Sequence, residues 1–146
     1  MRISEILDIK GHRVETTWPS RPVGDIPRLF VNRNIASVVV IDAGGRPVGI
    51  VTDRLLIRAL AEHGMETINF TAKDIMESPP PSCAATESVA HVLDVMTEKR
   101  VRHMLVMDNA RMQGIVSIGD LVKHRLRDAE METRVLRDAV MTWRRL

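Results

Sequence analysis

The chain has 146 residues, a formal net charge of +2, 45% hydrophobic residues and only 3% aromatic residues. This length suits one compact domain or two small, closely packed halves, and the hydrophobic content excludes a disordered chain. The charge is too small to indicate nucleic-acid binding by itself. The single cysteine, Cys83, excludes an intramolecular disulfide and a cysteine metal cluster.

The N-terminal stretch MRISEILDIKGHR carries charges throughout and lacks the apolar segment of a signal peptide. The sequence also contains no apolar run of about 18 residues, the length that a membrane-spanning helix needs. We therefore expect a cytoplasmic protein that does not enter the membrane.

The first half of the chain predicts an amphipathic helix followed by a hairpin. Val23, Ile26 and Phe30 lie at i, i+3 and i+7, on one face of a helix that tolerates Pro27 only near its start or with a kink. The apolar strand IASVVVID (35–42) and the turn AGGRP then lead into a second strand. That strand ends in the phrase GIVTDRLLIR (49–58), which begins another helix.

The second half repeats the first. A capping box in TAKDIM (71–76) predicts a short helix, and the prolines of ESPPPSC separate the two halves. A helix face, the strand VRHMLVMD (101–108) and the phrase GIVSIGDLVK (114–123) then recur about 65 positions after their counterparts. The strands of both halves are apolar at nearly every position, which indicates that both faces of each sheet are covered.

The last helix is longer than its counterpart, because no Gly or Pro occurs from Asp120 to Leu146. Its apolar side chains form a heptad-like stripe. The stripe comprises Val122, Leu126, Ala129, Thr133, Leu136, Val140 and Trp143. It packs either on the protein's own surface or on a partner subunit, and the pattern favours the partner.

Ser117 and Asp120 stand where the last strand gives way to this helix. A helix N-terminus attracts phosphate, the Ser117 hydroxyl can donate to a phosphate oxygen, and the Asp120 carboxylate can accept from both ribose hydroxyls. Gly114 and Gly119 leave room for a ligand near the backbone. The same Ser-x-x-Asp spacing also describes a helix cap that needs no ligand.

Two copies of a β-α-β-β-α unit, each ending in GIV followed by Ser or Thr, resemble a CBS-domain pair, or Bateman module, of the bacterial stand-alone type. The resemblance implies an α/β (α+β) fold of tandem pseudo-symmetric repeats packed through their sheets. It places repeat 1 at 3–66, repeat 2 at 67–128 and a helical extension at 129–146. It also implies a homodimer and a regulatory, non-catalytic role in which AMP, ADP, ATP, NAD or S-adenosylmethionine binds between the repeats.

The resemblance assigns one ligand site that draws on both halves. In it, Asp120 binds the ribose, Arg102 and His103 face the phosphates, and Trp18 either stacks on the base or fills the gap between the halves. The assigned residues are Thr17, Trp18, Ile35, Ala36, Arg102, His103, Ile115, Ser117 and Asp120.

A second, pseudo-symmetric cleft would use Thr52, Ser82 and Ala84, with Leu55 in the place of Asp120. Leu55 cannot accept a hydrogen bond from a ribose, and the loss of such a bond costs about 1–3 kcal/mol of affinity. We expect one intact site at Asp120 and one degraded or altered site at Leu55.

Other residue patterns suggest no chemistry. His91 and Asp94 lie one turn apart on a solvated helix face, and the five histidines lack metal-ligand spacing. The arginine-rich tail alternates in charge, so nucleic-acid binding is the weaker idea. The main alternative to a ligand sensor is a ligand-free interaction module that acts through dimerisation and its C-terminal helix. The sequence does not identify a downstream partner protein.

Overall fold

The computed structural model describes residues 1–145, which form six helices and six strands. The helices are α1 (Ile3–Lys10), α2 (Ile26–Arg33), α3 (Asp53–His63), α4 (Ala72–Ile75), α5 (Val89–Lys99) and α6 (Ile118–Arg144). The strands are β1 (Thr16–Thr17), β2 (Ser37–Ile41), β3 (Pro47–Thr52), β4 (Ser82–Ala84), β5 (His103–Asp108) and β6 (Arg111–Ser117). The 3-10 turns Val23–Asp25 and Gly64–Asn69 complete the first half.

Each half contains one three-stranded sheet, in the orders β1-β2-β3 and β4-β5-β6. The short outer strand runs parallel to the central strand, and the central strand forms an antiparallel hairpin with the third. Both hairpins have a register shift at the same place, between Val40 and Ile41 and between Val106 and Met107. The structure confirms the predicted mixed α+β fold, the hairpins and the internal repeat.

Both faces of the sheets are covered, as their apolar strands predict. Val38 and Val40 on β2 pack into a helix-covered core, whereas Val39 between them points to the opposite face and is also fully buried. Met104, Leu105 and Val106 repeat this arrangement on β5. The second face of each sheet therefore lies in the interior, where the two halves meet.

Local chemistry sets the starts of the short helices. Pro27 is the second residue of α2, where its missing N–H leaves no intrahelical bond unmade. The amide of Thr71 donates to Asp74 Oδ2 at 2.8 Å, which completes the predicted capping box of α4.

The two hydrophobic cores do not follow the sequence ranges of the repeats. Ile3, Ile6 and Leu7 of α1 are buried in the core of the second half, together with residues such as Leu121. Ala72 of α4 is buried in the core of the first half. Each half is therefore completed by the helix that precedes the other half in the chain.

The long C-terminal helix is confirmed, and it leaves the core soon after it begins. Leu121 and His124 are the buried residues of α6. The predicted stripe is exposed at every position from Val122 to Trp143, with Leu136 at 67% and Trp143 at 81%. Leu146, the last residue of the predicted helix, lies outside the described residues.

Candidate functional site

The junction of β6 and α6 forms a complete capping box. Ser117 has an extended backbone, and its Oγ accepts a hydrogen bond from the Asp120 amide at 3.1 Å. In return, Asp120 Oδ2 accepts from the Ser117 amide at 2.8 Å. The two side chains thus satisfy N–H groups that a helix start leaves unpaired.

The sequence analysis gave no role to Lys10, the last residue of α1. Its Nζ donates to Asp120 Oδ2 at 2.6 Å and to the carbonyl oxygen of Ile115 at 2.8 Å. The partly exposed ion pair therefore ties the N-terminal helix to the junction. Burial alone would raise the pKa of Asp120, but the hydrogen bonds from Lys10 and Ser117 outweigh it and hold the pKa below its ordinary value.

A cleft of about 540 Å³ opens between the two halves beside this junction, and we call it the Asp120 cleft. Five of the predicted site residues line it: Ile35, Ala36, His103, Ile115 and Ser117. Asp120 itself is not among the lining residues, but it is hydrogen-bonded to two that are, Ser117 and Lys10. The structure thus brings Ile35 and Ala36 of the first half together with residues that lie 67 to 82 positions later in the chain.

Seven further residues line the Asp120 cleft but were not predicted for it: Lys10, Arg13, Val14, Glu15, Arg33, Asn34 and Ser37. Glu15 accepts from Arg13 at 3.0 Å and lies 3.5 Å from Arg33. The repeat contained a signal for Lys10, because Asp8-Ile9-Lys10 matches Asp74-Ile75-Met76 at the offset of 66.

Thr17 and Trp18 do not reach the Asp120 cleft. The extended segment joins the sheet as β1, where Thr17 pairs with Val40, so the residues beside the cleft are Val14 and Glu15. Thr17 is buried with its Oγ1 unpartnered among residues 1–145. Trp18 lines a separate depression, and Arg21 stacks on its ring at 4.5 Å. Neither residue lines the cleft as predicted, and a contact with a ligand stays a prediction.

A second cleft of about 550 Å³ lies at the α3 junction, and we call it the Leu55 cleft. Thr52 lines it, but Ser82 and Ala84 do not, because β4 carries them along the sheet edge beside β5. Arg102 lies here and not in the Asp120 cleft, and it donates to Asp53 Oδ1 at 3.0 Å. Arg102 and His103 both line this cleft, whereas only His103 of the two lines the Asp120 cleft.

His103 lines both clefts. Burial, reinforced by the nearby Arg102 guanidinium, lowers the pKa of the imidazole below its ordinary value, so the side chain is neutral at pH 7. A neutral imidazole donates one hydrogen bond and accepts another.

The two glycines of the last phrase have different roles. A side chain at Gly114 would meet Leu7 Cδ2 at 2.8 Å, so this glycine makes room for α1 and not for a ligand as predicted. A Cβ atom added at Gly119 would meet only Ser117 Oγ, at 3.6 Å, so the space beside this glycine is open.

Within residues 1–145, no three His, Cys, Asp or Glu side chains are grouped closely enough to hold a metal ion. Burial raises the pKa of the Cys83 thiol to about 12, so it is not ionised near neutral pH. None of the described helices combines the length and the apolar character needed to cross a membrane.

Comparison with known families gives two matches to the CBS domain, at residues 6–62 and 72–127. The structure of a CBS-domain containing protein, ATU1752 from Agrobacterium tumefaciens, superposes with a TM-score of 0.82 at 34% identity. That match covers 85% of this chain and 92% of the other.

Two further relatives extend the comparison. The mitochondrial CBS domain-containing protein CBSX3 of Arabidopsis thaliana is 28% identical over 83% of this chain, which spans only 63% of that relative's length. The CBS domain protein PAE2072 from Pyrobaculum aerophilum, solved in complex with AMP, has a TM-score of 0.75 at 24% identity. That match covers 91% of this chain and 99% of the other, and it shows the shared fold.

Proposed function

The chain belongs to the CBS-domain family, and from that premise we propose that it is a regulatory module that binds an adenine nucleotide in the Asp120 cleft. It carries out no catalysis of its own and passes its ligand state to a separate protein. The cytoplasmic location expected from the sequence stays a prediction.

The observation that carries this proposal is the arrangement of Lys10, Ser117 and Asp120. Asp120 uses Oδ2 for both of its hydrogen bonds, while Oδ1 accepts none from residues 1–145. Oδ1 is thus a free, ionised acceptor fixed beside the cleft, which suits the hydroxyl groups of a ribose. The apolar side chains of Val14, Ile35 and Ile115 offer a surface for the base.

The charges of the Asp120 cleft favour a nucleotide with few phosphates. Lys10 is already paired with Asp120, and Arg13 and Arg33 share Glu15. The Ser117 hydroxyl and His103 remain to bind a phosphate. We therefore favour AMP over ATP for this cleft, in keeping with the AMP complex of the Pyrobaculum protein.

Calorimetric titration of the purified chain with AMP, ADP, ATP and NAD tests this proposal. We expect saturable AMP binding that Asp120→Ala weakens about ten- to hundredfold, because the ribose hydroxyls lose an ionised acceptor. Asp74→Ala is the matched control, since it removes the same kind of helix cap at α4, away from either cleft. Equal AMP affinity in wild type and Asp120→Ala would reject the proposal.

The exposed stripe of α6 favours a second role, in protein–protein interaction. Leu126, Leu136 and Val140 are each more than half exposed on one face of a helix that extends beyond the core. Large exposed apolar patches mark association surfaces, and the heptad-like spacing suits another helix. We propose that a second copy of the chain packs here, to form a homodimer.

A further inference from the structure

The Leu55 cleft differs from the Asp120 cleft in its charges. Five cationic side chains line it, against the single carboxylate of Glu77. The cations are Arg54, Arg58, Lys99, Arg100 and Arg102. Ile50, Leu55, Met76, Pro81 and Val101 supply the apolar part of the lining.

Most of these cations lack a carboxylate partner. Within residues 1–145, only Arg102 among them has a carboxylate within 4.0 Å, that of Asp53 at 3.0 Å. The cations of the Asp120 cleft are all paired, as described above. Four cations without partners in one groove create a positive potential that attracts and holds anions.

Arg100 provides independent evidence, because its backbone is in an unfavourable conformation. It caps the C-terminus of α5 with φ 55° and ψ 40°, in the left-handed region. Asn34, the residue at the matching place in the first half, has φ 52° and ψ 49°, and Asn tolerates this region better than Arg. The chain thus keeps an arginine at a strained position, where its side chain lines the Leu55 cleft.

The residues that would bind a ribose are replaced in this cleft. Leu55 stands at the place of Asp120, and Met76 stands at the place of Lys10, so an apolar pair substitutes for the ion pair. The Leu55 cleft therefore has no carboxylate at that place to accept hydrogen bonds from a ribose. A negatively charged ligand would instead meet several arginine and lysine side chains that have no carboxylate partner among the described residues.

We propose that the Leu55 cleft binds an oligophosphate anion, which it recognises by charge and not through a ribose. The oligophosphate is either inorganic or the phosphate tail of a nucleotide. For a nucleotide, the apolar lining accommodates the base and sugar to which the phosphate tail is attached. This proposal goes beyond the nucleotide site at Asp120 and does not depend on that site.

The test titrates inorganic tripolyphosphate, ATP and 2′,3′-dideoxy-ATP into the Lys10→Met, Asp120→Ala chain, in which the Asp120 cleft has lost both the ribose acceptor and the cation that this carboxylate pairs. We expect saturable tripolyphosphate binding that weakens as salt is raised. ATP and its dideoxy form should bind with equal affinity, because no group in this cleft reads the ribose. Tighter binding of dideoxy-ATP than of tripolyphosphate identifies a nucleotide tail as the ligand, and the reverse order identifies the inorganic anion.

Arg100→Asn separates charge from folding. This variant relieves the left-handed backbone, so its melting temperature should equal or exceed that of the parent, while its tripolyphosphate affinity falls at least tenfold. Arg33→Gln is the matched control at the place corresponding to Lys99, and it should change that affinity less than twofold. The proposal is overturned if no probe binds, if Arg100→Asn binds normally, or if duplex DNA competes equally per phosphate.

Discussion

At the scale of single residues, the geometry of Asp120 is compatible with both roles that the sequence presented as alternatives, a helix cap and a ribose acceptor. Its Oδ2 caps α6 and pairs with Lys10, and its Oδ1 accepts nothing from the described residues. A helix cap therefore does not exclude a ribose contact, because the two oxygens of one carboxylate serve different partners. The cap holds the carboxylate in place before any ligand arrives.

Lys10→Met tests how the ion pair controls Asp120, and it copies the residue found at the matching place in the Leu55 cleft. Without Lys10, burial has more weight, so we expect the pKa of Asp120 to rise and the free energy of unfolding at pH 7 to fall by about 1 kcal/mol. Carboxyl NMR titration and chemical denaturation measure the two effects.

The sign of the pH dependence follows from the lowered pKa of Asp120 in the wild type. Its stabilising effect is complete above the unfolded value of about 3.9 and is lost as the pH falls through the lower folded pKa. In Lys10→Met the loss should begin at a higher pH. Lys73→Met, on α4, should leave the titration of Asp120 unchanged, and an unaltered titration in Lys10→Met would contradict the assigned role.

At the scale of elements, close packing of α1 on β6 explains Gly114. The absent side chain is replaced by Leu7, which is itself fully buried. Gly49, the matching residue in the first half, makes the same kind of room for Met76. Each glycine in the repeated GIV phrase thus makes room for a side chain that α1 or the end of α4 brings to the sheet.

Gly114→Ala should destabilise the fold by about 1–3 kcal/mol, since the added methyl group must displace Leu7 or the strand. Thermal or denaturant unfolding measures this change. Leu7→Ala in the same chain should recover part of the loss, which makes the two changes non-additive. Gly119→Ala should be neutral or mildly stabilising, because the space there is open and alanine favours helix. Strict additivity of the Gly114 and Leu7 changes would argue against the contact.

The local patterns predicted most elements, but they missed α1 and the placement of the extended segment. Strands, hairpins and caps depend on neighbours in sequence, such as Ser117 and Asp120. The position of Trp18 instead depends on a tertiary hydrogen bond, from the Val39 amide to the Glu15 carbonyl at 3.0 Å. No short-range pattern fixes that register, so the predicted contact residues were displaced along the chain by about three positions.

At the scale of the whole molecule, the proposed homodimer depends on the exposed stripe of the C-terminal helix. Leu136 lies on the exposed stripe, and Met131 is 64% exposed on the opposite face of α6. A heptad-like stripe that covers several turns of one helix suits packing against another helix.

Leu136→Glu should weaken self-association at least tenfold, because it places a charge in the apolar seam of the proposed homodimer. Met131→Glu adds the same charge away from the seam and should associate like the wild type. Sedimentation velocity over a range of concentrations measures both. A wild-type chain that stays monomeric at high concentration would refute the homodimer.

The composition of the clefts was only partly predictable, because it depends on contacts between residues that are far apart in the sequence. The repeat paired Ser117 with Thr52 and Asp120 with Leu55, and the structure places both pairs at matching strand–helix junctions. Lys10 reaches Asp120 across 110 positions, and the unpaired state of Arg54 and Arg58 depends on which carboxylates fold nearby. Such pairings exist only in the assembled molecule.

Helix α1 packs in the core of the second half, and α4 packs in the core of the first half. This exchange also sets an order of folding during synthesis. The first half gains Ala72 of α4 soon after its own hairpin is made, so its core is complete once about half of the chain has been synthesised. Ile3 and Leu7 must wait for β6 and Leu121, which are made more than 100 residues later. α1 is therefore made long before the rest of the core that buries it, and Lys10 reaches Asp120 only after the second hairpin and the start of α6 have been made.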